Sequence, residues 1–129
     1  MDMMEAQVSL NCMAVAMYAE GSTIQEKQAV GYTIMNRLRS GKFGKDVCEV
    51  VYSNKNGRFQ FEGIKDITTG KHQFPTTKII LEHELIAWDV MFKNVPNPIS
   101  ETALFFHDDS IKNPWSLKKI TKIGALTFY

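Results

Sequence analysis

The chain has 129 residues, of which 44% are hydrophobic and 22% are charged, and its formal net charge is +1. This size and composition predict one globular domain over residues 1–129, long enough to bury a core. The near-neutral charge argues against nucleic-acid binding, which calls for a clustered basic excess. No apolar run approaches the length of a membrane span, so we expect no membrane insertion.

The N-terminal segment and the two cysteines bear on the compartment in which the chain is made. Residues 1–7, MDMMEAQ, lack the basic region and the apolar stretch of a signal peptide. We therefore expect synthesis in the cytoplasm, a reducing compartment, and export by some other route. Cys12 and Cys48 are too few for a disulfide framework, so we expect two reduced core residues.

Two long helices are predicted in the first third of the chain. In the first, residues 4–20, one face carries Leu10, Met13, Met17 and Glu20 at three-and-four spacing. The second opens with a capping box, since Thr23 is followed three residues later by Glu26, and ends at Gly41. Its apolar stripe consists of Val30, Ile34, Met35 and Leu38.

The middle of the chain combines a short helix with turns. We expect a helix over residues 46–52 and a tight turn at Asn56-Gly57. In the segment FQF at residues 59–61, two phenylalanines flank a glutamine, as in a short strand or an ordered loop. Residues 64–76 carry turn chemistry and little periodicity, so no helix is predicted there.

The last part of the chain changes from helix to strand. Residues 77–93 predict a third long helix, whose apolar stripe consists of Leu81, Leu85, Trp88 and Phe92. Short β-branched or aromatic segments follow at residues 103–106, 119–123 and 126–129. Helices first and a small antiparallel sheet last predict a mainly helical α+β domain.

Glu20 is the strongest candidate for a catalytic group. It shares a face with apolar residues at the end of a predicted helix, where burial and the negative helix terminus both raise a carboxyl pKa. A carboxylic acid that stays protonated near neutral pH suits glycoside cleavage, because the leaving oxygen must receive a proton. From the spacing alone, an exposed glutamate at a helix end is the commoner explanation.

Other chemistries find less support in the sequence. The segment His83-Glu84 begins like a zinc-protease helix, but Ala87 stands where the second histidine is needed, so we expect no metal and no cofactor. No serine elbow or phosphate-binding glycine loop is present. His107, after a predicted strand, fits a cleft wall and an ordinary strand end equally well.

Aromatic residues near predicted turns and strand ends are typical of glycan grooves, because sugar rings pack on aromatic faces. Two or three of them are expected to line a groove and the others to be core. The residues in such positions are Tyr18, Phe59, Phe61, Phe105, Phe106, Trp115, Phe128 and Tyr129.

Seven short motifs in one order give the chain a family resemblance. They are Y-A-E at 18–20, A-V-x-x-x-I-M-N-R at 29–37, C-x-V-V-Y at 48–52, Q-F at 60–61, A-L-F-F-H at 103–107, P-W at 114–115 and K-I-G…F-Y at 122–129. This series resembles the cell-wall hydrolase family typified by the spore-cortex-lytic enzyme SleB. The resemblance covers residues 7–129.

The resemblance implies peptidoglycan glycan-strand cleavage on a fold like that of lytic transglycosylases and goose-type lysozymes. The glutamate of the Y-A-E motif, here Glu20, would be the general acid and base. The matched segments imply substrate contacts by Gln60, Phe61, His107 and Trp115, to which the aromatic pattern adds Tyr18 and Phe106. The bond cleaved would join N-acetylmuramic acid to N-acetylglucosamine, with transglycosylation favoured over hydrolysis.

Two points stay open at the level of sequence. A second carboxylate near Glu20 would permit hydrolysis, and Glu62, Glu101 and Asp108 are the candidates. The family usually continues Y-A-E with A-R-G-E, whereas this chain has the shorter G-S-T, which favours an inactive glycan-binding domain. Such a domain, or a structural one on the same fold, is the alternative function. We expect a monomer that binds peptidoglycan and acts on the bacterial cell wall. Either a phage lysis protein or a piece of a longer bacterial protein would fit this description.

Overall fold

The computed structural model describes residues 1–55 and 57–129 and confirms the mainly helical α+β fold. The helices are α1 (Met3–Glu20), α2 (Ile24–Ser40), α3 (Val47–Tyr52), α4 (Glu62–Thr68) and α5 (Thr77–Met91). The strands are β1 (Asn54–Lys55), β2 (Arg58–Phe59), β3 (Phe106–Asp108), β4 (Thr121–Ile123) and β5 (Leu126–Phe128). The predicted Asn56-Gly57 turn includes Asn56, which lies outside the described residues.

Helix α1 is the centre of the core and packs against α2, α3, α4 and α5. Asp2 caps its start by accepting a hydrogen bond from the Glu5 amide. Met13 and Met17, on the predicted apolar face, are fully buried, and Val15 and Ala16 on other faces are buried as well. A helix that is apolar on several sides is held by neighbours all round, which fixes where its last residue, Glu20, lies.

The capping box at the start of α2 is confirmed, and its glutamate, Glu26, also bonds a residue outside the helix. One Glu26 oxygen accepts from the Thr23 amide at 2.9 Å and the other from the Ala125 amide at 2.8 Å. The second contact ties α2 to the turn between β4 and β5. These bonds lower the pKa of Glu26, because each favours the carboxylate, the Ala125 bond most.

Helix α4 corrects the prediction of turns alone over residues 64–76. No start signal is visible in the sequence, since Phe61 stands at the N-cap and makes no side-chain capping bond. The helix is stabilised by tertiary packing, because Ile64 is fully buried. At Gly63, an added Cβ would lie 2.6 Å from the Ala19 carbonyl oxygen. The start of α4 thus touches the end of α1.

The apolar stripe predicted for α5 exists, but it faces solvent. Its side chains, Leu81, Leu85, Trp88 and Phe92, are 46% to 74% exposed. The buried face consists of His83, Ala87, Val90 and Met91. Because both faces carry apolar residues, periodicity cannot choose the core side, and the close approach of Gly31 to Val90 decides it.

Strands β3, β5 and β4 form an antiparallel sheet in that order, as the three C-terminal segments predicted. Leu126 and Phe128 of the central strand are buried. The Asn36 side chain of α2 donates to the carbonyls of Ser100 and Ala103, both at 2.9 Å. Helix α2 therefore holds the segment that leads into β3. Within the described residues, no helix is both long and apolar enough to cross a bilayer.

Cys12 and Cys48 form a disulfide, so the expectation of two reduced cysteines is wrong. The two residues lie 36 positions apart in sequence, but the packing of α3 on α1 brings their Cα atoms to 5.2 Å. The count of two cysteines argued only against a disulfide-rich scaffold. It carried no information about this contact, which tertiary structure creates.

Candidate active site

Glu20 is the last residue of α1, and its half-buried carboxyl group lies against the start of α4. Its Oε1 accepts a hydrogen bond from the Gly63 amide at 3.0 Å. This bond is possible because Gly63 has no side chain and can approach the end of α1. The carboxyl is therefore fixed by the backbone of a helix that the sequence did not predict.

The pKa of Glu20 is raised from 4.5 to about 7. Burial is the largest cause, because it disfavours the charged form. The Gly63 and Ile64 amides act in the opposite direction, and the nearby charges of Glu62 and Asp66 raise the pKa further. A group with this pKa is protonated in about half of the molecules at neutral pH and can both give and take a proton.

An open cleft of about 540 Å³ lies between α2, β2, the start of α4 and β3. The sequence predicted five of its lining residues, namely Gln60, Phe61, Phe106, His107 and Trp115. Four more had been named as groove aromatics or as candidate second carboxylates, namely Phe59, Phe105, Glu62 and Asp108, and the sequence missed Arg37, Ser110 and Ile111. Glu20 lies beside this cleft, next to Glu62, and does not form part of its wall.

Aromatic rings make up half of the residues that line the cleft, with His107 included, and several of these rings pack on one another. Phe61 is 2% exposed and contacts Phe106, with ring centroids 5.8 Å apart, so Phe61 is mainly a core residue at the edge of the cleft. Trp115 is 38% exposed and lies 5.3 Å from the Phe105 ring. Among the predicted aromatics of the cleft, Trp115 thus presents the most open ring to a ligand.

Replacing Trp115 with Ala is expected to weaken binding to sacculi and to leave the fold stable. Its ring is partly open and rests on other cleft residues, so its loss removes a sugar platform and little core. A pull-down with purified sacculi and a urea unfolding curve measure the two effects. A loss of about 3–5 kcal/mol in unfolding free energy would instead make Trp115 a core residue.

His107 is held by hydrogen bonds at both ring nitrogens. Nδ1 lies 2.7 Å from the Asp108 carbonyl oxygen, to which it must donate, and Nε2 lies 2.7 Å from the Tyr129 hydroxyl. In the neutral ring, Nε2 then accepts from that hydroxyl. Neither nitrogen is left for a proton transfer to substrate, so His107 offers the cleft its ring face and not an acid or a base.

Tyr18 lies outside the aromatic cleft, apart from the other predicted substrate contacts. It lines a second cleft of about 540 Å³ with Ala19, Gly63, Asp66, Ile67, Lys71, His72 and Gln73. Its ring meets the His83 ring edge-on, with centroids 5.7 Å apart. Gly63 borders this second cleft and Glu62 the aromatic one, so Glu20 lies beside the segment that separates them.

The three candidate second carboxylates have different positions. Glu62 lines the aromatic cleft, is exposed, and acts on Glu20 as a like charge. Asp108 lines the same cleft, but its Oδ1 accepts from the Ser110 amide and hydroxyl, bonds that lower its pKa. Glu101 lies exposed in the loop between α5 and β3 and lines neither cleft. Of these three, Glu62 is therefore the exposed carboxylate whose charge acts on Glu20.

Arg37 is the main cleft residue that sequence reasoning missed. It is 3% exposed, and its Nε donates to the Leu104 carbonyl at 2.7 Å. A signal for it was present in the sequence. Arg37 follows Val30 by seven residues and Ile34 by three, so it is a charged residue on the apolar stripe of α2.

A family model described as cell wall hydrolase matches residues 21–129. The chain belongs to the cell wall hydrolase family. This membership supports a peptidoglycan-degrading activity and confirms the resemblance seen in the sequence motifs. The match begins one residue after Glu20, so it does not bear on the role of that residue.

The fold of this cell wall hydrolase matches that of a solved structure, the catalytic domain of the Bacillus cereus SleB protein. The TM-score is 0.67, the identity is 23%, and the match covers 95% of this chain and 89% of the other. At that identity the likeness establishes the fold alone. A search of curated proteins gave no match. Across residues 1–55 and 57–129, no group of three His, Cys, Asp or Glu side chains could hold a metal ion.

The raised pKa of Glu20 predicts a pH-dependent effect of replacing Glu20 with Gln. Below the unfolded pKa of 4.5 the carboxyl is neutral in both states, so the two proteins should be equally stable at pH 4. As pH rises through the folded pKa of about 7, ionisation in place disfavours the wild-type fold. The variant should then be more stable by about 2–3 kcal/mol at pH 8.

Urea unfolding of both proteins at pH 4 and pH 8 measures this difference. An equal stability difference at the two pH values would make Glu20 an ordinary surface carboxylate. Replacing the exposed Glu101 with Gln is the matched control.

Proposed function

We propose that this cell wall hydrolase cleaves peptidoglycan glycan strands between N-acetylmuramic acid and N-acetylglucosamine, with Glu20 as the general acid. The observation that carries the proposal is the half-buried Glu20 carboxyl, with a pKa near 7, beside a cleft walled by aromatic rings. An acid that is partly protonated at neutral pH can protonate a glycosidic oxygen, and aromatic rings suit sugar faces.

The proposed reaction begins with proton transfer from Glu20 to the glycosidic oxygen. The bond between that oxygen and the anomeric carbon breaks, which leaves an oxocarbenium-like centre on the muramic acid. The 6-hydroxyl of the same sugar then attacks this carbon, and the Glu20 carboxylate takes its proton. One glycan strand ends in a 1,6-anhydro sugar, the other carries the new hydroxyl, and Glu20 is protonated again.

This one-carboxylate route is supported by the state of the other polar groups in the aromatic cleft. His107 uses both ring nitrogens in hydrogen bonds, and Asp108 is bonded to Ser110. Glu62 is exposed, lines this cleft and acts on Glu20 as a like charge, so it is the residue through which water could be activated for hydrolysis.

Replacing Glu62 with Gln separates the two routes. If the 6-hydroxyl is the nucleophile, the variant keeps most of its turnover on sacculi and still forms anhydro ends. If Glu62 activates a water, turnover falls by about a hundredfold or more. The Asp66→Asn variant is the matched control, because Asp66 also acts on Glu20 as a charge but lies outside the aromatic cleft.

The alternative function is binding of glycan without cleavage. The short G-S-T turn after Glu20 favours it, since a longer turn with a second glutamate is usual in the family. Incubation with purified sacculi, followed by sedimentation and mass analysis of the supernatant, distinguishes the two. Soluble fragments with new sugar ends support the enzyme, whereas protein that sediments with intact sacculi supports a binding domain.

A further inference from the structure

The loop between β3 and β4, residues 109–120, brings Trp115 to the aromatic cleft. Every residue of this loop is exposed, and the loop contains no helix or strand. Ser110, Ile111 and Trp115 are its members that line the cleft. An exposed loop has many conformations unless specific contacts restrict it, so a sugar platform in such a loop needs groups that hold it in place.

The side chain of Asn113 bonds the loop backbone around Trp115. Its Oδ1 accepts hydrogen bonds from the Trp115 amide at 3.1 Å and from the Leu117 amide at 3.4 Å. Its Nδ2 donates to the Leu117 carbonyl at 2.6 Å. Both polar atoms of the side chain are therefore used, and they close residues 113–117 into a compact turn with Trp115 at its centre.

This turn contains a residue in the left-handed conformation. Ser116 has a φ of 53°, a region in which a side chain crowds the backbone and which costs free energy for residues other than glycine. The bonds from Asn113 to Leu117 span Ser116, so they stabilise the conformation that Ser116 disfavours. Without these bonds, the segment is expected to leave the turn.

The ring of Trp115 lies against three rings that do not belong to the loop. Its centroid is 5.3 Å from that of Phe105, 5.8 Å from that of His107 and 5.6 Å from that of Tyr129. The hydrogen bond between His107 and Tyr129 fixes two of these rings to each other. The three rings define where the Trp115 ring lies, and the Asn113 bonds hold the backbone from which its side chain reaches that place.

We propose that Asn113 is a positioning residue that holds Trp115 ready as a sugar platform, a role that rests on the proposed function. A ring that is fixed before binding loses little conformational freedom when a sugar packs on it. If the turn is open, the loop must become ordered during binding, which weakens the affinity. Asn113 lines neither cleft, so its effect on glycan passes through Trp115.

A purely structural role for Asn113 would have a different signature. Its bonds to Trp115 and Leu117 lie within one exposed turn, and its own side chain is exposed. Replacing Asn113 with Ala therefore removes no core packing, and the urea midpoint of unfolding should stay close to that of wild type. Glycan binding should change while global stability does not.

Initial rates over a range of sacculus concentrations test this role in Asn113→Ala and Asn113→Asp. In Asn113→Ala the half-saturating concentration should rise about fivefold, with kcat within about twofold of wild type. Asn113→Asp keeps an oxygen for the two amides and should lie between wild type and Asn113→Ala. The matched control is Asn97→Ala, which removes a similar bond, to the Ile99 amide at 2.9 Å, away from both clefts.

A wild-type half-saturating concentration in Asn113→Ala would overturn the inference, as would an Asn113→Asp protein no better than Asn113→Ala. A double variant shows whether the effect passes through the ring. Asn113→Ala/Trp115→Ala should bind sacculi as weakly as Trp115→Ala alone, because the residue that Asn113 positions is already gone. Losses that add in the double variant contradict a role through Trp115.

Fluorescence tests the position of the Trp115 ring without any glycan. The chain has two tryptophans, and Trp88 lies on the exposed face of α5, outside both clefts. In a Trp88→Phe background, the emission therefore comes from Trp115. Adding Asn113→Ala should raise the acrylamide quenching constant about twofold, because the released ring samples more exposed positions. An unchanged constant also overturns the inference.

These measurements separate the inference from the proposed function. Wild type that neither binds nor cleaves sacculi contradicts the proposed function, and the quenching constant then decides whether Asn113 holds Trp115. Wild type that cleaves sacculi, together with an Asn113→Ala variant that matches it in affinity and quenching, leaves the proposed function standing and removes the role of Asn113.

Discussion

Glu20→Gln is expected to lower turnover on sacculi by at least about a hundredfold, the usual scale for loss of a general acid. Glutamine has nearly the shape of glutamic acid and can still accept the Gly63 hydrogen bond, so the junction of α1 and α4 should remain intact. It cannot donate a proton to the glycosidic oxygen. Release of soluble glycan from sacculi, measured at pH 6 where wild-type Glu20 is largely protonated, gives the ratio of turnovers.

The fold and the binding of this variant need to be intact for the comparison to hold. Circular dichroism and sedimentation with sacculi should both match wild type. The exposed Glu101→Gln serves as the matched control and should cleave as wild type does. A Glu20→Gln protein with near wild-type turnover would rule out Glu20 as the acid.

Removing the Cys12–Cys48 disulfide should lower the free energy of unfolding by about 3–4 kcal/mol. The bridge closes a loop over a sequence separation of 36 residues, so it restricts the unfolded chain. It also fastens α3 to α1, the helix that ends at Glu20. Urea unfolding of wild type and of the Cys12→Ala/Cys48→Ala double variant measures the difference.

Reduced wild type provides the control for lost side-chain packing. With dithiothreitol, wild type should unfold at a urea concentration close to that of the double variant, which itself should not respond to the reductant. Equal midpoints for oxidised wild type and the double variant would contradict a stabilising bridge.

Features with a local signal in the sequence were predicted well. Thr23 and Glu26 form the capping box that their spacing indicated, and the three C-terminal segments form the sheet. Glu20 ends α1 on the apolar face, as the three-and-four spacing required. The capping box and the end of α1 depend on neighbours in sequence, and each strand segment carries its own β-branched or aromatic pattern.

Features created by contacts between distant segments were not predictable. Helix α4 lacks a capping residue and forms because Ile64 is buried against the core. The disulfide depends on how α3 packs on α1. The core side of α5 depends on the close approach of Gly31.

Arg37 is an intermediate case between these two groups. Its place on an apolar stripe was visible in the sequence, but the three aromatic rings around its guanidinium and the Leu104 carbonyl it bonds come only from the tertiary fold. A charged residue on a buried helical face therefore indicates a candidate functional position, while the groups that contact its charge are known only from the tertiary fold.

The most direct test of glycan cleavage by Glu20 is digestion of sacculi in ¹⁸O-labelled water, with the mass of the new glycan ends as the readout. We predict 1,6-anhydro ends without ¹⁸O from wild type and no new ends from Glu20→Gln. Ends that carry ¹⁸O would show that water is the nucleophile. Equal amounts of new ends from both proteins, or none from wild type, would contradict the role of Glu20 as the acid that cleaves the strand.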